Sequence, residues 1–143
     1  MLLTPQWDTD AAALDSVQAM WAQTGALVSR MDVAHHDHVL AATSHAPHVL
    51  AFALVAALAK RDDAEEVLAY AAGGFRDFTR IAAGNPRMWH DICLANSQAI
   101  EGVLADLQTQ IDVLRQAVAA QDGPLLIRQF ATAKAFRDQL ACR

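Results

Sequence analysis

The sequence predicts an all-α domain, and three observations predict it. Apolar residues recur at helical spacing, in Leu14, Val17 and Trp21 and again in Ile100, Val103, Leu104, Leu107, Ile111, Leu114 and Val118. Capping residues precede such segments at Asp8 or Asp10, at Asp32 and at Asn85, and glycines follow them at Gly25 and Gly84. From Pro86 to the Gly123-Pro124 pair, no breaker stronger than Gly102 interrupts the pattern.

Composition bounds the function classes. At 143 residues, 54% hydrophobic and 19% charged, the chain is long enough for one domain with a sizeable core. A formal charge of −5 with no block of lysines or arginines argues against a nucleic-acid or anionic-membrane surface. Cys93 and Cys142 give neither metal spacing nor a disulfide framework, which implies a reducing, cytoplasmic setting. The first eight residues lack the charged region and apolar run of a signal peptide. The apolar run at residues 49–59 is too short on its own to span a bilayer.

Taken in order, residues 1–5 read as an extended lead-in, because Pro5 biases Thr4 away from helix. A first helix follows and ends at Gly25. Residues 26–31 are short and ambiguous, with room for a turn of strand. Asp32 caps a second helix carrying His35, His36, Asp37 and His38. Pro47 removes a backbone hydrogen bond, so a kink or restart is expected near residues 43–47. A restart would point free N–H groups and a positive dipole end toward Ser44, His45 and His48. Residues 49–59 are apolar on every face and should form the central, buried helix. Residues 60–63 are a solvated turn, 64–70 a short helix, and 75–83 another, after the Gly73-Gly74 turn. Asn85-Pro86 is a strong helix start. About 35 helical residues from there would run roughly 50 Å. That is longer than a domain of this size is wide, and the overhang implies a symmetric homodimer. The alternative is a helix broken near Gly102 within a monomer. Leu126, Phe130, Ala133 and Phe136 indicate a last helix.

Five of the six histidines fall between His35 and His48. His35, His36, Asp37 and His38 are consecutive and point around a helix, so they do not converge as zinc ligands must. No metal is expected. Ser44 and His48 are four apart, and His45 and His48 three, so each pair shares a helix face beside the proline. A buried imidazole needs a partner for each nitrogen, so these groups either satisfy one another or bind a ligand. Arg80 lies in a short, largely apolar segment and suits a carboxylate gripped bidentately; the bland alternative is a surface pair with Asp77. Trp89 is either core or one wall of a pocket. The residues therefore suggest a helical dimer that binds a small organic anion, without naming the anion.

Four separate motifs together resemble the C-terminal domain of the prephenate dehydrogenase family, which includes arogenate and cyclohexadienyl dehydrogenases. They are His36-Asp37, Ser44-His45-Ala46-Pro47-His48, the run from Gly73 to Ala82, and Pro86-Arg87-Met88-Trp89, over roughly residues 1–110. The resemblance implies oxidative decarboxylation of prephenate to 4-hydroxyphenylpyruvate with NAD or NADP, in tyrosine biosynthesis. It implies that Ser44, His45, His48, Gly73, Arg80 and Trp89 bind substrate, with Arg80 on a carboxylate. It also implies that Asp77 reaches this region from the partner subunit of a homodimer. Ala46 stands where the family commonly has leucine, and the glycine turn lacks a frequent third glycine. No G-x-G-x-x-G follows a strand, so no cofactor-binding residue is assigned. Residues 1–7 then read as a linker from a missing N-terminal dinucleotide-binding domain, and residues 8–143 as the helical dimerisation and substrate-binding domain. Alone, such a chain is expected to bind no NAD or NADP and to have no dehydrogenase activity. The alternative is a free-standing helical dimer that binds an aromatic acid as a regulatory module.

Overall fold

The computed structural model describes residues 1–140, so Cys142 lies outside the described residues. The expected all-helical class is what forms. Its elements are β1 (Leu2–Leu3), α1 (Ala11–Gln23), β2 (Ser29–Arg30), α2 (Val33–Leu40), a π turn (Ala41–His45) and α3 (Ala46–Ala59). They continue with α4 (Ala64–Ala69), α5 (Gly73–Thr79), a 3-10 turn (Arg80–Ala83), α6 (Pro86–Ala95), α7 (Ser97–Ala119) and α8 (Gly123–Asp138). The chain forms two compact units, Met1–Glu101 and Gly102–Arg143.

Local chemistry sets most boundaries in the first unit. Asp10 accepts from the Ala13 N–H and Asp32 from the His35 N–H, each satisfying a free donor at a helix start. Asn85 accepts from both Arg87 and Met88, with Pro86 already fixed for the first helical turn. Gly25 adopts φ +82°, the left-handed conformation that ends α1 cheaply. The lead-in and the ambiguous 26–31 segment become β1 and β2, a two-residue parallel pair with Leu2 opposite Ser29 and Leu3 opposite Arg30. Arg30 then reaches Asp15 and Gln18 on α1.

Four expectations change. At Pro47 the helix does not restart; Val33–Ala59 is continuous over 27 residues. The missing proline N–H is absorbed by a π turn in which Ala46 N–H bonds back to Ala41 O. No row of free N–H groups faces the histidines, so the dipole argument for an anion lapses. Taken whole, this helix is long and apolar enough to cross a membrane, which residues 49–59 alone are not. Nor are residues 49–59 buried within the chain. Ala46 and Ala51 are enclosed, but residues 53–57 lie open, with Leu54 and Val55 each 38% exposed. Finally, the single helix expected from Pro86 is divided at Asn96, which adopts φ −118°, ψ 35°. The break falls there rather than at Gly102 because the Asn96 side chain is held elsewhere, as described below. The long C-terminal-half helix is thus α7, 23 residues.

In the second unit α7 ends in a tight turn where Asp122 N–H bonds to Ala117 O. Asp122 then caps α8 by accepting from Leu125 N–H. Ala117 is enclosed, while Ile127, Phe130 and Phe136 on α8 stay exposed.

Candidate functional site

The site is built where the π turn enters α3. A π turn holds one more residue than an α turn, which shifts Ser44 and His45 around the axis relative to α2. His48, one turn into α3, has its Nδ1 at 2.8 Å from the Ser44 carbonyl oxygen. A carbonyl only accepts, so this nitrogen carries the hydrogen. Ser44 thus supports His48 through its backbone.

Trp89, from α6, closes over both histidines. Its indole stacks on the His48 ring, with centroids 3.9 Å apart and planes at 25°, and meets His45 edge-on at 6.3 Å. Trp89 is itself 9% exposed. It belongs to the core, with one face taken by His48. Gly84 is the reason the indole fits. A Cβ there would lie 2.5 Å from Trp89 Nε1 and 3.0 Å from Cδ1, closer than atoms tolerate. On its other side Trp89 lines an apolar groove of about 250 Å³ with Val49, Phe52 and Cys93.

Asn96 completes the cluster. Its Nδ2 lies 2.8 Å from the Asp37 carbonyl oxygen and 3.2 Å from His45 Nδ1. Asp37 in turn meets His36 Nδ1 at 2.9 Å. His45 titrates below its ordinary value, chiefly because burial disfavours the charged ring. His36 and His48 push the same way, and Asp37 opposes them.

The structure therefore brings Ser44, His45, His48 and Trp89 together. Arg80 and Asp77 are exposed, and Arg80 opens the 3-10 turn that packs against α3. Gly73 begins α5, which also packs against α3. Among the described residues no hydrogen bond, ion pair or ring contact joins the Arg80, Asp77 or Gly73 side of the site to the histidines. The Asp77–Arg80 pair does not form either, and no three His, Cys, Asp or Glu side chains of the described residues converge on a metal position. Sequence reasoning missed Asn96 and Gly84. Asn96 did leave a signal, as an amide placed directly after the run Ile92-Cys93-Leu94-Ala95. Gly84 was visible only as a helix stop.

Comparison with known proteins gives the family of the chain. The family described as "Prephenate dehydrogenase, dimerization domain" matches residues 32–132. The cyclohexadienyl dehydrogenase of Zymomonas mobilis is 40% identical over 132 residues, covering 91% of this chain and 45% of that protein. The prephenate dehydrogenase of Bacillus subtilis is 37% identical over 143 residues, covering 99% of this chain and 38% of that protein. A crystal structure of prephenate dehydrogenase from A. aeolicus, in complex with hydroxyphenyl propionate and NAD+, superposes with a TM-score of 0.86 at 33% identity. It covers 97% of this chain and 49% of that one. The chain spans less than half the length of the curated relatives it matches here.

Proposed function

The chain belongs to the prephenate dehydrogenase dimerization-domain family, and we propose that it is the substrate-binding and dimer-forming part of an NAD(P)-dependent prephenate dehydrogenase. The proposed reaction of the parent enzyme is oxidative decarboxylation of prephenate, or of the related arogenate, in tyrosine biosynthesis. The observation that carries this reading is the packing of His45 and His48 against Trp89 beside the π turn, inside the segment that the family matches.

Prephenate offers two carboxylates and a ring hydroxyl. Arg80 is exposed and has no ion-pair partner among the described residues, so its planar fork is open to a carboxylate. A guanidinium keeps its charge throughout a reaction, so its role is to bind and orient. Ser44, His45 and His48 line the pocket in this reading, with the Gly73 backbone and Trp89 at its edge. Asp77, also exposed, is assigned to the partner subunit's site. The described residues contain no strand, glycine turn and helix that would fit a dinucleotide. NAD or NADP is therefore assigned to a dinucleotide-binding domain that residues 1–7 would connect to residues 8–143.

A homodimer is supported by the open apolar face of α3, which a single chain leaves in water. The charged and polar first turns of the Val33–Ala59 helix, and the family match over all of it, favour this aqueous role over a membrane span. The same reading makes the parent a cytoplasmic enzyme. The test is Arg80→Ala in the full-length parent. Losing a charged hydrogen-bonding partner, worth roughly 1.5–3 kcal/mol, should raise KM for prephenate about 10- to 100-fold. Dinucleotide affinity should hold. Unchanged substrate affinity would overturn the carboxylate role.

A further inference from the structure

Asn96 is a buried polar side chain that the proposed reaction does not use. Its amide can be oriented without ambiguity. Nδ2 lies 2.8 Å from the Asp37 carbonyl oxygen, and a carbonyl only accepts, so the NH2 group and not the amide oxygen faces that way. The second hydrogen of the same NH2 is then available to His45 Nδ1, at 3.2 Å. A ring nitrogen that receives an N–H cannot carry a hydrogen of its own. Neutral His45 must therefore be protonated at Nε2.

His48 shows the opposite pattern. Its Nδ1 donates to the Ser44 carbonyl oxygen at 2.8 Å, so its Nε2 is bare when the ring is neutral. Two histidines three residues apart are thus set in complementary tautomers by different backbone and side-chain partners. A ligand carrying both a hydroxyl and carboxylates needs both an acceptor and a donor.

We propose that Asn96 is a positioning residue that locks His45 as the neutral Nε2–H tautomer, so that His45 supplies a donor and His48 an acceptor to the substrate. The functional half of this inference rests on the substrate-binding reading above; the tautomer lock does not. Protonating His45 would turn an Nδ1–H toward the Asn96 N–H, donor against donor. Burial of the ring disfavours that charge too, as do the neighbouring His36 and His48, while Asp37 favours it.

The test is the ring-nitrogen NMR of the histidines in the 143-residue chain near neutral pH, with no substrate present. His45 should show a bare Nδ1 and a protonated Nε2, and His48 the reverse. Asn96→Asp replaces the donor by an acceptor and a negative charge. It should move the proton to Nδ1 and raise the His45 pKa by roughly one unit or more. Asn96→Ala should leave His45 a mixture of tautomers. A protonated Nδ1 on His45 in the unsubstituted chain, or ring shifts that ignore both substitutions, would overturn the lock. Should neither variant fold, the unsubstituted spectrum decides: a bare Nδ1 sustains the proposal and a protonated one ends it. Because this readout contains no prephenate, it can fail while the Arg80 test succeeds, and the reverse.

Discussion

The two halves of the Val33–Ala59 helix solve opposite problems. The part up to His48 carries the titratable groups, and the chain itself partners three of its histidines. His36 meets Asp37, His45 meets Asn96, and His48 meets the Ser44 carbonyl and the face of Trp89. From Val49 onward the helix carries only apolar side chains, and the chain leaves most of them uncovered. The difference shows which part of this molecule is complete within one chain. Polar groups cannot wait for a partner without cost, because a buried unpaired donor or acceptor loses its water and gains nothing. An apolar face can be assembled with its partner, since the hydrophobic effect rewards the burial whenever it happens.

The sharpest way to break this comparison is to place a charge on the open face. In the proposed homodimer, Val55→Asp would bury an uncompensated carboxylate, at a cost of about 3 kcal/mol or more. Both protomers of a homodimer carry the change, so dimer affinity should fall by well over a hundredfold, read by sedimentation at micromolar concentration. Helix content by circular dichroism should stay close to that of the parent chain, because the site is exposed in each chain. A parent chain that sediments as a monomer would remove the contrast between the two halves altogether.

The complete half can be attacked through Gly84. Its backbone, at φ −64°, suits any residue, so the constraint is space alone. Gly84→Ala should push the indole off its seat and cost roughly 1–3 kcal/mol, seen as a lower Tm. His48, which stacks on that indole, should lose its fixed place, and prephenate affinity in the parent enzyme should drop about tenfold. A fall in Tm without any change in substrate affinity would show that Trp89 is core and not pocket wall.

Legibility in the sequence followed the range of the interactions. Asp10, Asp32 and Asn85 act on N–H groups two or three residues ahead, so their helix starts could be read directly. The two-residue strands were read only as extended or ambiguous, because their pairing joins Leu2 to Ser29. Pro47 announced a disturbance, but whether a helix answers with a restart or a π turn depends on what its side chains find nearby. Asn96 was hidden for the same reason, since its partners Asp37 and His45 stand 59 and 51 residues away. Spacing on one helix grouped Ser44, His45 and His48, while Trp89 stayed open between core and pocket wall until the packing of α6 set it on the two histidines. The open face of α3 was misread as core because hydrophobicity marks a surface for burial without saying which chain will bury it.

The smallest expected effect separates the histidines from one another. His35 is exposed, and its backbone N–H donates to the Asp32 carboxylate, a bond that alanine keeps. His35→Ala should therefore change stability by no more than about 0.5 kcal/mol and leave prephenate affinity unchanged, as surface replacements away from special features do. A metal or ligand held by the histidine-rich stretch as a unit would predict otherwise, because removing one of several convergent ligands weakens the whole set. A tenfold loss of substrate affinity in His35→Ala would thus shift the site from the π turn back along α2. An unchanged affinity leaves His35 outside the site and keeps its histidine part at His45 and His48, whose rings the fold has packed against Trp89.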